Sequence, residues 1–544
     1  MRRLFRRAAA LIPAAVMALC TGLAGSADDY ADVVKPVYGT KYNNPISSQV
    51  FCADPTAVEY NGRLYVFGTN DQQQCDETNP DKNNTYEKIK SLVVFSTDDM
   101  INWEWHGTIN VGEIAPWIRN SWAPSVTSRV EEDGLTHFYL YFSNNGTGVG
   151  VITATDPTGP WSDPLGKPLI DYTDPKLKDC PTPFDPGAVI DDNGDGWLAF
   201  GGGKAEGADK VCPGSSKIVK LGKDMLSFDS EYVTIPAPYF FEASELNYIN
   251  GTYVYTYCSD WDSHETWPYD TDVPGACSMI CMKTKTPLDT NSWEMCGECL
   301  KNPGEFGFDH SNNHTHLQKY KGKWYMLYHS LALKKQMKIK GGYRSICVDE
   351  ISVDEDAVKI NGSTGSKEGV RSPPESSSAY EAHSGAQFCR QAGIRMDQTD
   401  MKSPLAVSEG SNAWICFKQA DLGDTEDLIL RFTGKVRGRG KVDIRLDATD
   451  GELLATLSSD SAELSDCVSE PLPQEVSGVH DLIFIFSEKD MTLTEWQMTS
   501  EKKPLGATVY VLVGAGAAAL AAATFIAIRV KGSRGRKARA DSET

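Results

Sequence analysis

Five times between residues 60 and 330 a turn glycine is followed by a strand in which aromatic and aliphatic residues alternate: YNGRLYVFGT, EDGLTHFYLYFSN, DNGDGWLAFGG, INGTYVYTYCS and YKGKWYMLYHS. Asn-Gly or Asp-Gly ahead of a period-2 run is a hairpin signal, so each unit predicts a strand, a tight turn at Gly62, Gly134, Gly196, Gly251 or Gly322, and a second strand. The intervals suit a four-stranded sheet with decorated loops, and five such sheets set radially make a five-bladed β-propeller over residues 28–360. The pattern then changes. Residues 361–378, NGSTGSKEGVRSPPESSS, are polar and rich in Ser, Gly and Pro, the composition of a linker. Beyond them WICFKQADLG, DLILRFTGKV, KVDIRLDAT and VHDLIFIFS alternate again, predicting a jelly-roll-like β-sandwich over 379–500. The expected fold class is all-β.

Both ends of the chain read differently. Residues 1–27 have a basic start, an apolar middle and small residues before Asp28, the pattern of a secretory signal. Residues 506–530 include an uncharged apolar run long enough to cross a bilayer, and a basic tail follows at 531–544. Positive charge stays cytoplasmic, so everything ahead of this transmembrane helix is expected outside the cell, anchored in its membrane. The chain of 544 residues, 40% hydrophobic and 23% charged, is long enough for two or more domains with real cores. Its formal net charge of -21 argues against nucleic acid as a partner. Of 14 cysteines, Cys20 falls in the signal, and the odd remainder leaves at least one thiol without an intrachain partner. CGEC at Cys296–Cys299 lacks a second pair at zinc-ligand spacing and is read as structural disulfides or inert thiols. DDNGDG at Asp191–Gly196 opens like a calcium-binding EF-hand loop, but the closing glutamate is missing, so it is a hairpin turn.

The charges fall into register with the repeat. Eight to twelve residues ahead of the five glycines stand Asp54, Trp122, Asp185, Glu242 and His314. The first strand of each propeller blade lines the central axis, so these positions converge on one pocket, and three of them are acids. Hydrolysis of a glycosidic bond needs one carboxylic acid to protonate the leaving oxygen and one carboxylate to activate water. Phe240 and Phe241 would desolvate Glu242 and raise its pKa, as a general acid requires. Asp54 is then the base, and Asp185 a third member whose charge favours protonated Glu242. Spacing alone leaves Glu245 competing for the acid role. Trp122 suits a pocket wall stacked on a sugar ring.

The motifs ADP at Ala53–Pro55, FDPGAV at Phe184–Val189, FEAS at Phe241–Ser244, NNH at Asn312–His314 and GYRS at Gly342–Ser345 resemble, in order, those of glycoside hydrolase family 43. The resemblance implies an inverting enzyme acting on arabinose- and xylose-containing polysaccharides, with Asp54 as base, Glu242 as acid and Asp185 as pKa modulator. It implies that Arg344 and Asn313 meet the sugar, that no cofactor is required for the chemistry, and that His314 reaches a structural calcium at the axis. Residues 380–500 resemble carbohydrate-binding module family 6, most clearly in KVDIRLDATDGELLATL and SGVHDLIFIFS, with His383 where a second Glu is common; Trp414 and Trp496 are its candidate sugar-binding residues. The expected function is release of arabinofuranose from arabinoxylan or arabinan. β-Xylosidase or endo-acting relatives use the same three acids, and a non-catalytic sugar-binding surface protein is the reading of another class.

Overall fold

The computed structural model describes residues 41–362, 364–472 and 476–503. The signal expected at 1–27, the membrane helix at 506–530 and the tail at 531–544 lie outside these residues. Among the described residues no helix is long and apolar enough to cross a membrane.

Five four-stranded antiparallel meanders follow one another along the chain. Blade I is Ala53–Tyr60, Arg63–Thr69, Leu92–Thr97 and Trp103–Ile109; blade II is Trp122–Val130, Thr136–Ser143, Gly148–Ala154 and Ile170–Asp171. Blade III is Gly187–Ile190, Gly196–Phe200, Lys217–Lys220 and Val233–Thr234; blade IV is Phe240–Ile249, Thr252–Ser259, Met279–Thr284 and Glu294–Leu300. Blade V is Thr315–Tyr320, Lys323–Ser330, Ser345–Asp354 and Lys359–Asn361. Neighbouring blades cover both faces of each sheet. That is why strands such as Leu92–Thr97 and Thr252–Ser259 are buried at every position, aromatic and polar alike.

The core is accordingly five separate apolar layers, one in each gap between blades. Leu64 and Val66 of blade I meet Tyr325 and Leu327 of blade V, for example, while Ile152 of blade II shares a layer with Phe67 and Val94 of blade I. The ring is closed between its ends by the segment ahead of blade I, which lies along the third strand of blade V. Ile46 N donates to Ile346 O at 2.9 Å, Val348 N to Asn44 Oδ1 at 2.8 Å and Cys52 N to Arg344 O at 3.0 Å.

The hairpins form where the sequence places them, with one correction. Gly62, Gly134, Gly251 and Gly322 have φ between 73° and 78°, the left-handed conformation a side chain disfavours. In blade III this role falls to Gly194 (φ 78°), whereas Gly196 opens the second strand and packs against Met225. Asp191 of the discarded EF-hand match accepts from the amides of Asn193 and Asp195, from Trp197 Nε1 and from Tyr253 Oη, so it organises this hairpin.

Residues beyond 376 form two six-stranded sheets packed face to face. Trp414 and Trp496 are 2% and 1% exposed. Trp496 sits between the sheets against His383, Phe417 and Phe484, and Trp414 packs with Ile483 and Ile485. Both are core residues, which corrects their expected role as sugar platforms: a ring enclosed by apolar neighbours offers no face to a ligand. The second unit is also fused to blade I. Its strand Gln387–Phe388 pairs with Glu104 and Trp103 as a fifth strand of that sheet.

Candidate active site

Each acid stands at the axial end of a blade's first strand, where the backbone kinks. Asp54, Ala123, Asp185 and Ala243 have φ of 50°, 38°, 47° and 61°, a left-handed residue at the corresponding point of four successive blades. The strain is held by hydrogen bonds to the neighbouring blade. Asp54 N donates to His329 Nδ1, Ala123 N to Thr69 Oγ1, Asp185 N to Ser143 Oγ and Ala243 N to Asp185 Oδ2. Three of these acceptors close the second strand of the preceding blade or lie next to its end. The result brings the carboxylates of blades I, III and IV within reach of one another's charge.

Asp54 is buried, and its two oxygens are both engaged: Oδ1 by Arg344 Nη1 at 2.8 Å and Oδ2 by Thr69 Oγ1 at 2.6 Å. Burial alone would raise this carboxyl, but the Arg344 guanidinium leads the interactions that hold it well below the usual carboxylate range. Arg344 is fixed in turn by Asp71, the first residue of the helix Asp71–Glu77, which accepts from Arg344 Nε at 2.9 Å and Nη2 at 2.8 Å. The guanidinium also lies over the Tyr86 ring, 4.9 Å from its centroid. Trp122 meets Tyr86 edge to face and donates from Nε1 to its carbonyl, which sets it beside the Arg344–Asp54 pair.

Glu242 is half-buried beside Phe241. Desolvation first, and then the negative charge of Asp185, push it well above the ordinary glutamate value. Asp185 is itself raised by burial and by Asp54, although it accepts hydrogen bonds from Ala243 N at 2.9 Å and Ser143 Oγ at 3.2 Å. Those donors favour the charged form of Asp185 and so oppose the rise that burial and Asp54 impose on it. Glu245, three residues on, is 2% exposed and hydrogen-bonds His316 Nδ1 at 2.6 Å. It is sealed inside the ring, which leaves Glu242 as the acid open to a substrate.

One expected role changes. Asn313 is 1% exposed and donates to the carbonyls of Lys301 and Cys277; it ties loops together instead of facing a sugar. His314 does reach the site, with Nδ1 3.7 Å from Asp54 Oδ1, and burial pushes its pKa down to about 4. Arg344 occupies Oδ1 of Asp54 beside it, and among the described residues no three His, Cys, Asp or Glu side chains are grouped, so a calcium next to His314 would take most of its six to eight oxygens from water and backbone carbonyls.

Asp71, Tyr86, Thr69, Ser143 and His329 escaped the sequence reading. Thr69, Ser143 and His329 had a visible signal, since each lies at or next to the end of a repeat, where a polar residue follows the apolar run. Asp71 and Tyr86 had none.

Residues 42–358 match the family described as glycosyl hydrolases family 43. The chain is 31% identical over 481 residues to an arabinoxylan arabinofuranohydrolase of Paenibacillus polymyxa, covering 84% of this chain and 74% of that protein. It is 31% identical over 479 residues to the enzyme of the same name from Bacillus subtilis, covering 82% of this chain and 89% of the other. The crystal structure of a family 43 arabinoxylan arabinofuranohydrolase from Bacillus subtilis, in complex with cellotetraose, superposes with a TM-score of 0.76 at 29% identity over 86% of this chain and 99% of that one. With the family match spanning most of the ring that carries the three carboxylates, the chain belongs to glycosyl hydrolases family 43.

Proposed function

We propose that this glycoside hydrolase releases arabinofuranose from arabinoxylan with inversion, using Asp54 as general base, Glu242 as general acid and Asp185 as the charge that keeps Glu242 protonated. The observation that carries the reading is the opposite electrostatic treatment of carboxylates in one pocket: Arg344 keeps Asp54 charged, while burial and Asp185 keep Glu242 neutral. That division is what a single displacement by water requires. Glu242 protonates the departing glycosidic oxygen as the bond to the anomeric carbon lengthens, and Asp54 accepts a proton from the water attacking the other face. Tyr86, Trp122 and Phe241 supply walls on which a sugar ring can rest. The 31% identity to two arabinoxylan arabinofuranohydrolases supports arabinose as the sugar transferred to water and the xylan chain as the leaving group.

The test is nitrophenol release from the α-L-arabinofuranoside and the β-xyloside, with arabinose release from arabinoxylan alongside. On arabinoxylan, whose leaving sugar oxygen needs a proton, Glu242→Gln is expected to lose about a hundredfold or more in kcat, with a smaller loss on the nitrophenyl glycosides, while Glu245→Gln, away from the substrate, loses less on arabinoxylan. A larger loss at Glu245, or preference for the xyloside, overturns the assignment.

The kinship of the second unit to carbohydrate-binding module family 6 belongs to the same proposal, supported by its two-sheet architecture, with Trp414 and Trp496 no longer its contacts. Export and membrane anchoring rest on the character of residues 1–27 and 506–530. Fractionation of expressing cells checks them: the enzyme should sediment with membranes and be released by protease added outside.

A further inference from the structure

The CGEC motif, which the catalytic reading leaves unused, lies on the outermost strand of blade IV, Glu294–Leu300. On a regular strand residues three apart point to opposite faces. Here the pairing with Met279–Thr284 slips twice: Met282 faces Met295 and Cys281 faces Gly297, while Ile280 faces Glu298 and Met279 faces Leu300. The two residues passed over are Cys296 and Cys299. Both bulges therefore fall on the motif's cysteines, and both thiols join Cys281 in the apolar layer between blades IV and V. Cys281 and Cys299 are each 3% exposed, but Cys296 is partly open and lines a cavity of about 1010 Å³ with Asp270, Thr271, Glu298 and His310. None of Asp54, Asp185 or Glu242 lines this cavity.

We propose that Cys296 is a thiol-exchange site facing this cavity, with Cys281 across the strand pair as its resolving partner and a low-molecular-weight disulfide as co-reactant. The Cys281 thiol, held beside Cys296 by the pairing of Cys281 with Gly297, and the Lys283 ammonium together outweigh burial and draw Cys296 below an ordinary thiol. A sulfur that is partly exposed and favoured as thiolate is the one that attacks. Its thiolate displaces one half of the small disulfide, forming a mixed disulfide on Cys296 and releasing one thiolate. Cys281 then gives up its proton and attacks Cys296 Sγ, releasing the second half. Two protein thiols and one small disulfide thus become one protein disulfide and two small thiols. The new bond ties the two outer strands of blade IV together. Cys299 is not the partner the motif suggests: it lies in the second bulge, where its thiol donates to the Met279 carbonyl at 3.4 Å, whereas Cys281 is paired with Gly297 directly beside Cys296.

The probe is oxidised glutathione, added to the full chain carrying Cys212→Ser, which removes the exposed cysteine elsewhere on the surface. Non-reducing peptide mass spectrometry is expected to find a glutathione adduct on Cys296 first and a Cys281–Cys296 bond afterwards. Cys281→Ser should accumulate the adduct, and Cys296→Ser should react slower by about tenfold or more, as expected when the thiolate favoured among the described cysteines is lost. Far-UV circular dichroism identifies the variants that fold. A first adduct at another cysteine, a Cys296–Cys299 bond, a Cys281→Ser variant that still completes the reaction, or a folded parent that does not react would each overturn the proposal.

Discussion

At the scale of single residues, the site depends on one guanidinium shared between two carboxylates. Asp71 touches no acid of the pocket, yet it takes the Nε and Nη2 edge of Arg344 and so aims Nη1 at Asp54. In Asp71→Asn the undiminished positive charge falls on Asp54 and makes it a poorer base. We expect kcat to drop by about tenfold or more with KM little changed, the signature of lost proton transfer. A merely structural role would lower the folded fraction and leave kcat per folded molecule intact. Asp185 gives a second test through pH. As the proposed acid Glu242 would act in its protonated form, so activity should be lost as pH rises through its raised pKa. The Asp185 charge contributes to that rise, and Asp185→Asn should therefore move the alkaline limb of the kcat profile to lower pH. An unmoved limb would mean that burial alone tunes Glu242.

At the scale of elements, the axial strands of adjacent blades approach within backbone contact. A Cβ on Gly187 would stand 2.5 Å from Glu245 Cα and 2.7 Å from Ser244 O, neither of which can move as a side chain does. Gly187→Ala should destabilise the protein by about 1–3 kcal/mol through overpacking, read as a lower thermal midpoint, and should disturb Asp185 and Glu242 together. Such contacts explain what the sequence discloses and what it withholds. Hairpins are local, so the five alternating runs and their turn glycines reveal the blades, even where Gly194 instead of Gly196 makes the turn. The three acids are legible because each holds the same place in a repeat. Asp71 and Tyr86 sit in the insertion between the second and third strands of blade I, outside any periodicity, and meet Arg344 only when the ring closes. The sandwich tryptophans mislead for the opposite reason: an aromatic in an alternating strand looks the same from sequence whether it faces a ligand or the opposing sheet.

At the scale of the whole molecule, the second unit completes the first. Arg63 of blade I binds Gln387, Glu104 binds Ser384, His106 meets the Met401 carbonyl, and Asn102 and Lys418 exchange backbone and side-chain hydrogen bonds. A chain stopped at residue 376 would leave the edge of blade I unpaired, with Trp103, Trp105 and Phe95 newly open to water. Its thermal midpoint should fall and its binding of a hydrophobic dye should rise; unchanged values would mean that the two units are mere neighbours.

The ion pairs of Arg344 also join the last blade to the first, across the place where the circle is shut. Asp54, the base of the proposed hydrolysis, thus doubles as part of the clasp of the ring. Loosening of that clasp should silence the enzyme even while every sheet persists, which would make turnover an internal gauge of whether the circle is whole.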